Sequence, residues 1–181
     1  MDAKKLSSMI NLKIRTEYSF RKAYGRLEDV VSKTQGSAIG IADFGTWGWV
    51  KFKKECKKQG KKPIFGMEFA VVLNAEEKTK QPTNYMTIIA KNLNGIKKIY
   101  ELSTYSQDFF YYEPRIDYEK LLEFVGDDVI LLSGANPQIT FFKSVKNFYL
   151  EASPRSPSWL RKINQVSQDY NIPIVACSDN Y

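Results

Sequence analysis

The sequence predicts an α/β fold built on a parallel β-sheet. Apolar runs of strand length alternate with segments of helical periodicity, and one stretch, Ser37–Val72, reads as strand, helix, strand without interruption. Two strands joined by a helix in this way lie parallel in one sheet. With 181 residues, 43% of them apolar, the chain is long enough to bury a core, and we expect a single domain over residues 1–181.

Each element of this stretch has its own signal. Ser37–Ala42 is a short apolar run that ends beside an acid, Asp43. Phe44–Gln59 has helical spacing, Gly60 is a suitable stop, and the second apolar run carries Glu68. Because the chemistry of such folds sits where strands end, Asp43 is a candidate site residue. The helix face that we expect to be buried consists of Trp49, Phe52 and Cys56.

The other elements follow from similar signals along the chain. Polar, proline-containing Asn74–Thr83 is predicted to be a surface loop, and Ser158 is a plausible N-cap for the last helix. Further strands are predicted at Met9–Thr16, Asn84–Lys91, Val129–Gly134, Asn147–Ala152 and Ile172–Ala176. Further helices are predicted at Leu27–Gln35, Leu93–Ser106, Tyr118–Val125 and Ser158–Tyr170.

Composition narrows the possible functions. The net charge of +7 suits nucleic acid or an acidic partner, whereas the complete lack of histidine restricts most metal-hydrolase and histidine-based mechanisms. No apolar run reaches the ~20 residues of a membrane span, and the N-terminus lacks a signal-peptide core. Two distant cysteines, Cys56 and Cys177, do not indicate a disulfide framework. We therefore expect a reduced, cytoplasmic protein that does not contact membranes.

The organising stretch, SAIGIADFGTWGWVKFKKECKKQGKKPIFGMEF, resembles the PHP (polymerase and histidinol phosphatase) domain of the bacterial DNA polymerase III alpha subunit family. That family reads approximately AxAxTDHGNxxGxxxFYxxxxxxGxKPIxGxE. Later segments also resemble it: FFYYEPRID at Phe109–Asp117, VILLSG at Val129–Gly134 and the tail after Ala176. The resemblance implies a PHP-type distorted (β/α) barrel, similar to a TIM barrel and partial, because the family domain continues further. We expect a chain truncated relative to that domain, either a fragment or a short product.

The resemblance also implies a site that has lost its metal ligands. Active PHP domains bind divalent metals through several histidines and a few carboxylates. Here the matching carboxylates are Asp43, Glu68 and Asp179. The matching histidine positions hold Lys13, Arg15, Phe44, Tyr85, Arg155 and Tyr181. Since three of these six are cations, the hypothesis is a vestigial metal site in which side-chain cations balance the acids, with no cofactor.

Simpler interpretations exist for each acid taken alone. Asp43 could cap the helix that follows it, Glu68 could be a solvated strand residue, and Asp179 could form a turn. Carboxylates can also hold Mg²⁺ without histidine, so a carboxylate-only site for Mg²⁺ or Mn²⁺ stays open as an alternative.

The helix between the two strands is rich in lysine. Its run comprises Lys51, Lys53, Lys54, Lys57, Lys58, Lys61 and Lys62. These residues could contact DNA phosphates, with Lys53, Lys54, Lys57 and Lys58 as candidates, or they could be the solvated face of an amphipathic helix. The solvated face is the interpretation we favour.

Together these observations predict the N-terminal PHP domain of a DNA polymerase III alpha-type replicative polymerase. The parent resembles a DNA-directed DNA polymerase, whereas this domain is predicted to be inactive as a phosphoesterase and to have a structural or partner-docking role. Implied partners are the remainder of the polymerase chain, a proofreading exonuclease subunit, and DNA through the polymerase. The first alternative is a metal-dependent 3′–5′ exonuclease or phosphoesterase with a carboxylate-only site. The second is a stand-alone basic DNA-binding or accessory module.

Overall fold

The computed structural model describes residues 10–153 and 156–177, and it confirms the predicted α/β class. The strands are β1 (Asn11–Ile14), β2 (Ala38–Asp43), β3 (Lys62–Val72), β4 (Asn84–Ala90), β5 (Arg115–Asp117), β6 (Val129–Leu132), β7 (Phe148–Ala152) and β8 (Ile174–Ala176). The helices are α1 (Leu27–Lys33), α2 (Trp49–Lys58), α3 (Leu93–Asp108), α4 (Tyr118–Phe124), α5 (Ile139–Phe142) and α6 (Pro157–Tyr170). No helix among these residues combines the length and the apolarity needed to cross a bilayer.

The described residues belong to two compact units. Among these residues, the first unit comprises residues 10–67 and Cys177, and the second comprises residues 68–153 and 156–176. In the first unit β1, β2 and β3 lie side by side and parallel, with Asp43 of β2 opposite Met67 of β3. The strand–helix–strand prediction is therefore confirmed for this part of the chain.

Helix α2 packs its predicted apolar face into the first unit. Trp49, Phe52 and Cys56 are all buried, and the rings of Trp49 and Phe52 contact Phe65 at centroid distances of 5.1 and 5.9 Å. The helix ends at Lys58, and Gly60, two residues later, has a φ of 66°. There the Lys61 N–H donates to the Cys56 carbonyl, a closure that favours glycine because of its positive φ.

The start of this helix corrects the sequence prediction. A helix was predicted from Phe44, but α2 begins at Trp49, because the chain first makes a turn in which the Trp47 ring folds back over Gly45. A Cβ atom at Gly45 would meet that ring at distances down to 2.4 Å, so a larger residue at this position would require the Trp47 ring to move.

Lys61, which follows α2, contacts the C-terminal end of α1. Its ammonium donates hydrogen bonds to the carbonyls of Val31 and Thr34, which belong to the C-terminal turn of α1 and the residue after it. The last carbonyls of a helix lack partners within the helix, and a cation there also interacts favourably with the helix dipole. One member of the lysine run is therefore structural.

The second unit contains a mixed sheet. Its strands follow the order β3, β4, β6, β7, β8, and β5 pairs with β3. β4 runs antiparallel to β6, whereas β6 is parallel to β7 and β7 is parallel to β8. β4 thus departs from the parallel arrangement of the strand–helix–strand stretch, because it follows β3 through the loop Asn74–Thr83 with no crossover helix. β5 and α5 were not predicted at all.

Polar caps fix the helix starts in the second unit. The side chains of Asn92 and Asp117 accept hydrogen bonds from the N–H groups of Gly95 and Lys120, at 3.0 and 2.7 Å. Ser156, rather than the predicted Ser158, caps α6, because its hydroxyl accepts from the Trp159 N–H while Pro157 takes the first helical position.

Gly40 offers a direct test of strand packing in the first unit. A Cβ atom on this β2 residue would lie 2.7 Å from Leu12 Cα and closer still to the Leu12 carbonyl. We expect Gly40→Ala to force β1 and β2 apart and to lower the free energy of unfolding by about 3 kcal/mol. Urea denaturation followed by circular dichroism measures this change.

Gly60→Ala is the matched control, since Gly60 has a φ of 66° and nothing within 4 Å of the added methyl group. It should cost only about 1 kcal/mol, the strain of the left-handed conformation. Equal losses in the two variants would show that the close approach of β1 to β2 is unimportant.

Candidate functional site

Asp43 is fully buried at the carboxyl end of β2 and accepts three hydrogen bonds. Its Oδ1 atom accepts from the Thr16 N–H at 2.7 Å and from the Ser19 hydroxyl at 2.5 Å. Its Oδ2 atom accepts from the Thr16 hydroxyl at 2.7 Å. Thr16 and Ser19 belong to the turn after β1, and the carboxyl ends of parallel neighbours lie at the same sheet edge. Asp43 therefore fastens this turn to the end of β2, and it does not cap α2.

Opposing effects act on the Asp43 carboxyl group. Burial raises its pKa because the charged form loses water, and the hydrogen bonds from Ser19 and Thr16 act in the opposite direction. The net result is a pKa above the usual value for aspartate. The donors that stabilise the charged form here are neutral groups.

Two of the predicted replacement cations are buried in the first unit. Lys13 in β1 is 4% exposed, and Arg15 just after β1 is 7% exposed. Phe44 follows Asp43, and the Lys22 ammonium lies over its ring at 3.5 Å from the centroid, a cation–π contact. Lys13 and Arg15 are thus interior residues, whereas Phe44 is half-buried and contacts a lysine.

The second unit contains the other described candidates. Glu68 in β3 is 1% exposed, so the alternative of a solvated strand residue is wrong. Tyr85 in β4 donates its hydroxyl to Glu113 at 2.8 Å. Glu151 in β7, which was not among the predicted site residues, is also buried, and its N–H donates to the Ser133 hydroxyl at 3.1 Å. Three further predicted residues, Arg155, Asp179 and Tyr181, lie outside the described residues.

Within residues 10–153 and 156–177, no three His, Cys, Asp or Glu side chains form a group that could hold a metal ion. The lysine face of α2 is solvated: Lys53, Lys54, Lys57 and Lys58 are exposed. Lys58 pairs with Glu55 at 2.9 Å, and Lys51 pairs with Glu28 at 2.9 Å. Contact of this face with DNA stays a prediction.

Sequence reasoning missed the donors that surround Asp43. Thr16 and Ser19 lie more than twenty positions before it, and a hydroxyl side chain alone gives no sign of such a bond. The available signal was a pair of small hydroxyl residues directly after a strand, at the same sheet edge as the acid. Glu113 was missed for the same reason, since its bond to Tyr85 joins distant segments.

Sequence comparison finds a matching family and relatives among DNA polymerase III alpha subunits. A family model described as the PHP domain matches residues 11–167. The DNA polymerase III subunit alpha of Aquifex aeolicus is 31% identical over 177 residues, covering 88% of this chain and 15% of that protein. The same subunit of Borreliella burgdorferi is 28% identical over 207 residues, covering 97% of this chain and 18% of that protein. The chain thus spans less than a fifth of the length of these relatives.

Comparison with solved structures finds proteins of similar fold. A structure assigned as a metal-dependent phosphoesterase from Bifidobacterium adolescentis superposes with a TM-score of 0.64 at 11% identity, covering 96% of this chain and 87% of that one. PsfC from Pseudomonas syringae superposes with a TM-score of 0.54 at 12% identity, covering 95% and 74% of the two chains. At these identities the likeness shows a shared fold, and it confirms the predicted PHP-type architecture.

The bonds around Asp43 can be tested one at a time. We expect Ser19→Ala to lower the free energy of unfolding by about 1.5–3 kcal/mol, because a buried carboxyl group loses one of its donors. Asp43→Asn should cost less than Asp43→Ala, since an amide oxygen can still accept from Thr16 and Ser19 while its NH₂ group donates to the Thr16 hydroxyl. Urea denaturation of each variant provides the comparison.

Ser32→Ala serves as the matched control. The Ser32 hydroxyl donates to the Asp29 carbonyl on an exposed part of α1, so its loss should change stability by less than about 0.5 kcal/mol. If Ser19→Ala were as mild as Ser32→Ala, the role given to Asp43 in fastening the turn would be refuted.

Proposed function

The chain belongs to the PHP domain family, and we propose that it is the PHP domain of a DNA polymerase III alpha-type replicative polymerase, inactive as a phosphoesterase. Its homology to alpha subunits over most of its own length supports the first part of this proposal. Because the chain spans only 15% and 18% of two such relatives, polymerase activity would reside in other parts of the protein.

The proposed inactivity rests chiefly on the surroundings of Asp43. By resemblance, active PHP domains gather metals with several histidines and a few carboxylates, and this sequence contains no histidine. Both Asp43 oxygens already accept hydrogen bonds from Thr16 and Ser19, which leaves little capacity for a metal ion. By resemblance, positions 13 and 15 are places where active members carry metal-binding histidines, and they hold Lys13 and Arg15 here. The residues present therefore do not fit a PHP-type metal cluster.

A structural role follows from this loss. By resemblance, PHP domains of replicases brace the palm and thumb of the polymerase, and some dock the proofreading exonuclease. We propose the same partners here: the remainder of the polymerase chain, an exonuclease subunit, and DNA held by the whole polymerase, in the cytoplasm. The buried side chains that replace ligands would then serve to keep the domain rigid without metal.

The proposal predicts no metal-dependent hydrolysis. The purified chain is incubated with Mn²⁺ or Mg²⁺ and with a 3′-labelled single-stranded oligonucleotide or a chromogenic phosphate ester. We expect rates equal to those of the Asp43→Asn variant, and elemental analysis should find no tightly bound transition metal. Cleavage that requires Mn²⁺ or Mg²⁺ and is lost in Asp43→Asn would instead establish the carboxylate-only enzyme.

The genomic context tests the other half of the proposal. We expect the chain to be encoded together with a polymerase palm, either in the same reading frame or next to it. Sequencing of the locus decides this question without any assay. A locus with no polymerase segment would favour the stand-alone accessory module instead.

A further inference from the structure

The second unit contains a cavity between helix α6, the start of β4 and the loop after β6. Its volume is about 370 Å³, which lies in the range of about 300–1,000 Å³ that small-molecule sites occupy. Its walls come from residues 82–84, from residues 135–138 and from one face of α6. We call it the α6 cavity, defined by Asn84, Asn136, Gln138, Lys162, Ile163 and Val166.

Hydrogen bonds hold the walls of the α6 cavity in place. The Asn84 side-chain amide donates to the carbonyls of Ser133 and Asn136 at 3.0 Å, and its oxygen accepts from the Asn136 N–H at 3.2 Å. These bonds tie the loop after β6 to the start of β4. The Trp159 indole N–H donates to the Ala135 carbonyl at 3.2 Å, which ties the same loop to α6. The fold therefore builds the cavity in advance, and a ligand does not have to order it.

The inner surface of the α6 cavity is largely apolar. Ile163 and Tyr118 are 1% and 6% exposed, and the half-buried Pro137 and Val166 add further apolar surface. Asn84 is buried as well, but its donors and its acceptor are engaged with neighbouring segments. The interior therefore suits the apolar body of a ligand rather than a charged group.

Polar groups with spare hydrogen-bonding capacity line the opening of the α6 cavity. Lys162 and Asn136 are exposed, and Gln138 is half-buried. In the part of the chain that the structure describes, the Lys162 ammonium forms no ion pair, and the side-chain amides of Asn136 and Gln138 make no hydrogen bond. Among the same described residues, the lining contains no acid. The opening thus presents one positive charge and two neutral amides.

We propose that the α6 cavity binds a small organic molecule that has one carboxylate and an apolar body. The carboxylate pairs with the Lys162 ammonium at the opening and accepts from the amides of Asn136 and Gln138. The apolar body packs against Ile163 and Val166. A carboxylate fits this opening because its single charge matches one ammonium and its two oxygens match several donors. A cation would be repelled by Lys162. The proposal does not depend on the polymerase assignment.

Titration of the isotope-labelled chain with phenylbutyrate, followed by NMR, tests the site. We expect saturable binding with a dissociation constant of about 2 mM or tighter, as the size of this probe allows. The largest chemical-shift changes should fall in residues 82–84, residues 135–138 and α6. Phenylbutyramide, the neutral analogue, should bind about fivefold more weakly, because it lacks the charge that pairs with Lys162.

Three variants separate the α6 cavity from other surfaces. Lys162→Gln changes an exposed side chain, so the fold should be kept; phenylbutyrate affinity should fall about fivefold and become equal to that of phenylbutyramide. Val166→Phe should fill the cavity and abolish binding of both probes, with circular dichroism to check the fold. Arg161→Gln is the matched control, because Arg161 is the exposed neighbour of Lys162 on α6 and lies outside the lining. It should change affinity by less than about twofold.

Four results would overturn the proposal. They are a lack of saturable phenylbutyrate binding, equal binding of phenylbutyramide by the parent chain, an unchanged affinity in Lys162→Gln, and an equal loss in Arg161→Gln. Phenyl phosphate provides one further comparison. We expect it to bind more weakly than phenylbutyrate, because a dianion finds only one ammonium at the opening; tighter binding of phenyl phosphate would contradict the assignment to a carboxylate.

Discussion

The structure depends on finding hydrogen-bond partners for its buried polar side chains. Because the sequence contains no histidine, hydroxyl and amide groups are among the partners available. Asp43 is fully buried, and a carboxyl group in that position is tolerated only if its oxygens are hydrogen-bonded. Thr16 and Ser19 meet that requirement, so the turn after β1 cannot leave β2 without exposing or orphaning an acid. In the second unit Asn84 performs a similar task, because its amide bonds fix the segment Ser133–Asn136. Hydroxyl and amide groups thus order the loops beside the strands.

Local periodicity predicted most of the fold, because burial follows it closely. The face of α2 made by Trp49, Phe52 and Cys56 is an example, since its spacing alone identified the buried side. The start of the same helix was misplaced because the contact of Trp47 with Gly45 is tertiary and leaves no mark in helical spacing. The three residues of β5 were missed for a similar reason, as they form a strand only by pairing with β3.

The direction of β4 and the surroundings of the candidate site are two further features that the sequence did not predict. An apolar run looks the same whether its partner is parallel or antiparallel, and only the helix-free loop before β4 carried information about its orientation. Matching the sequence to the PHP family pattern identified Asp43 and Glu68 as candidate site residues, and both are buried. It could not identify Thr16, Ser19 or Glu113, because those side chains reach their partners only through the path of the folded chain.

Arg115 is a buried cation of the second unit whose hydrogen bonds fix the conformation of a loop. Removing a guanidinium from water is costly, and here backbone carbonyls of one loop take the place of a carboxylate partner. Each carbonyl carries only a partial charge, so several must converge, and the loop from Ala75 to Thr79 has to adopt one conformation. The Tyr111 ring lies against the same guanidinium, with the Arg115 Cζ atom 4.8 Å from its centroid. Satisfying one buried cation therefore orders the loop from Ala75 to Thr79, because another conformation of this loop would leave guanidinium N–H groups without acceptors.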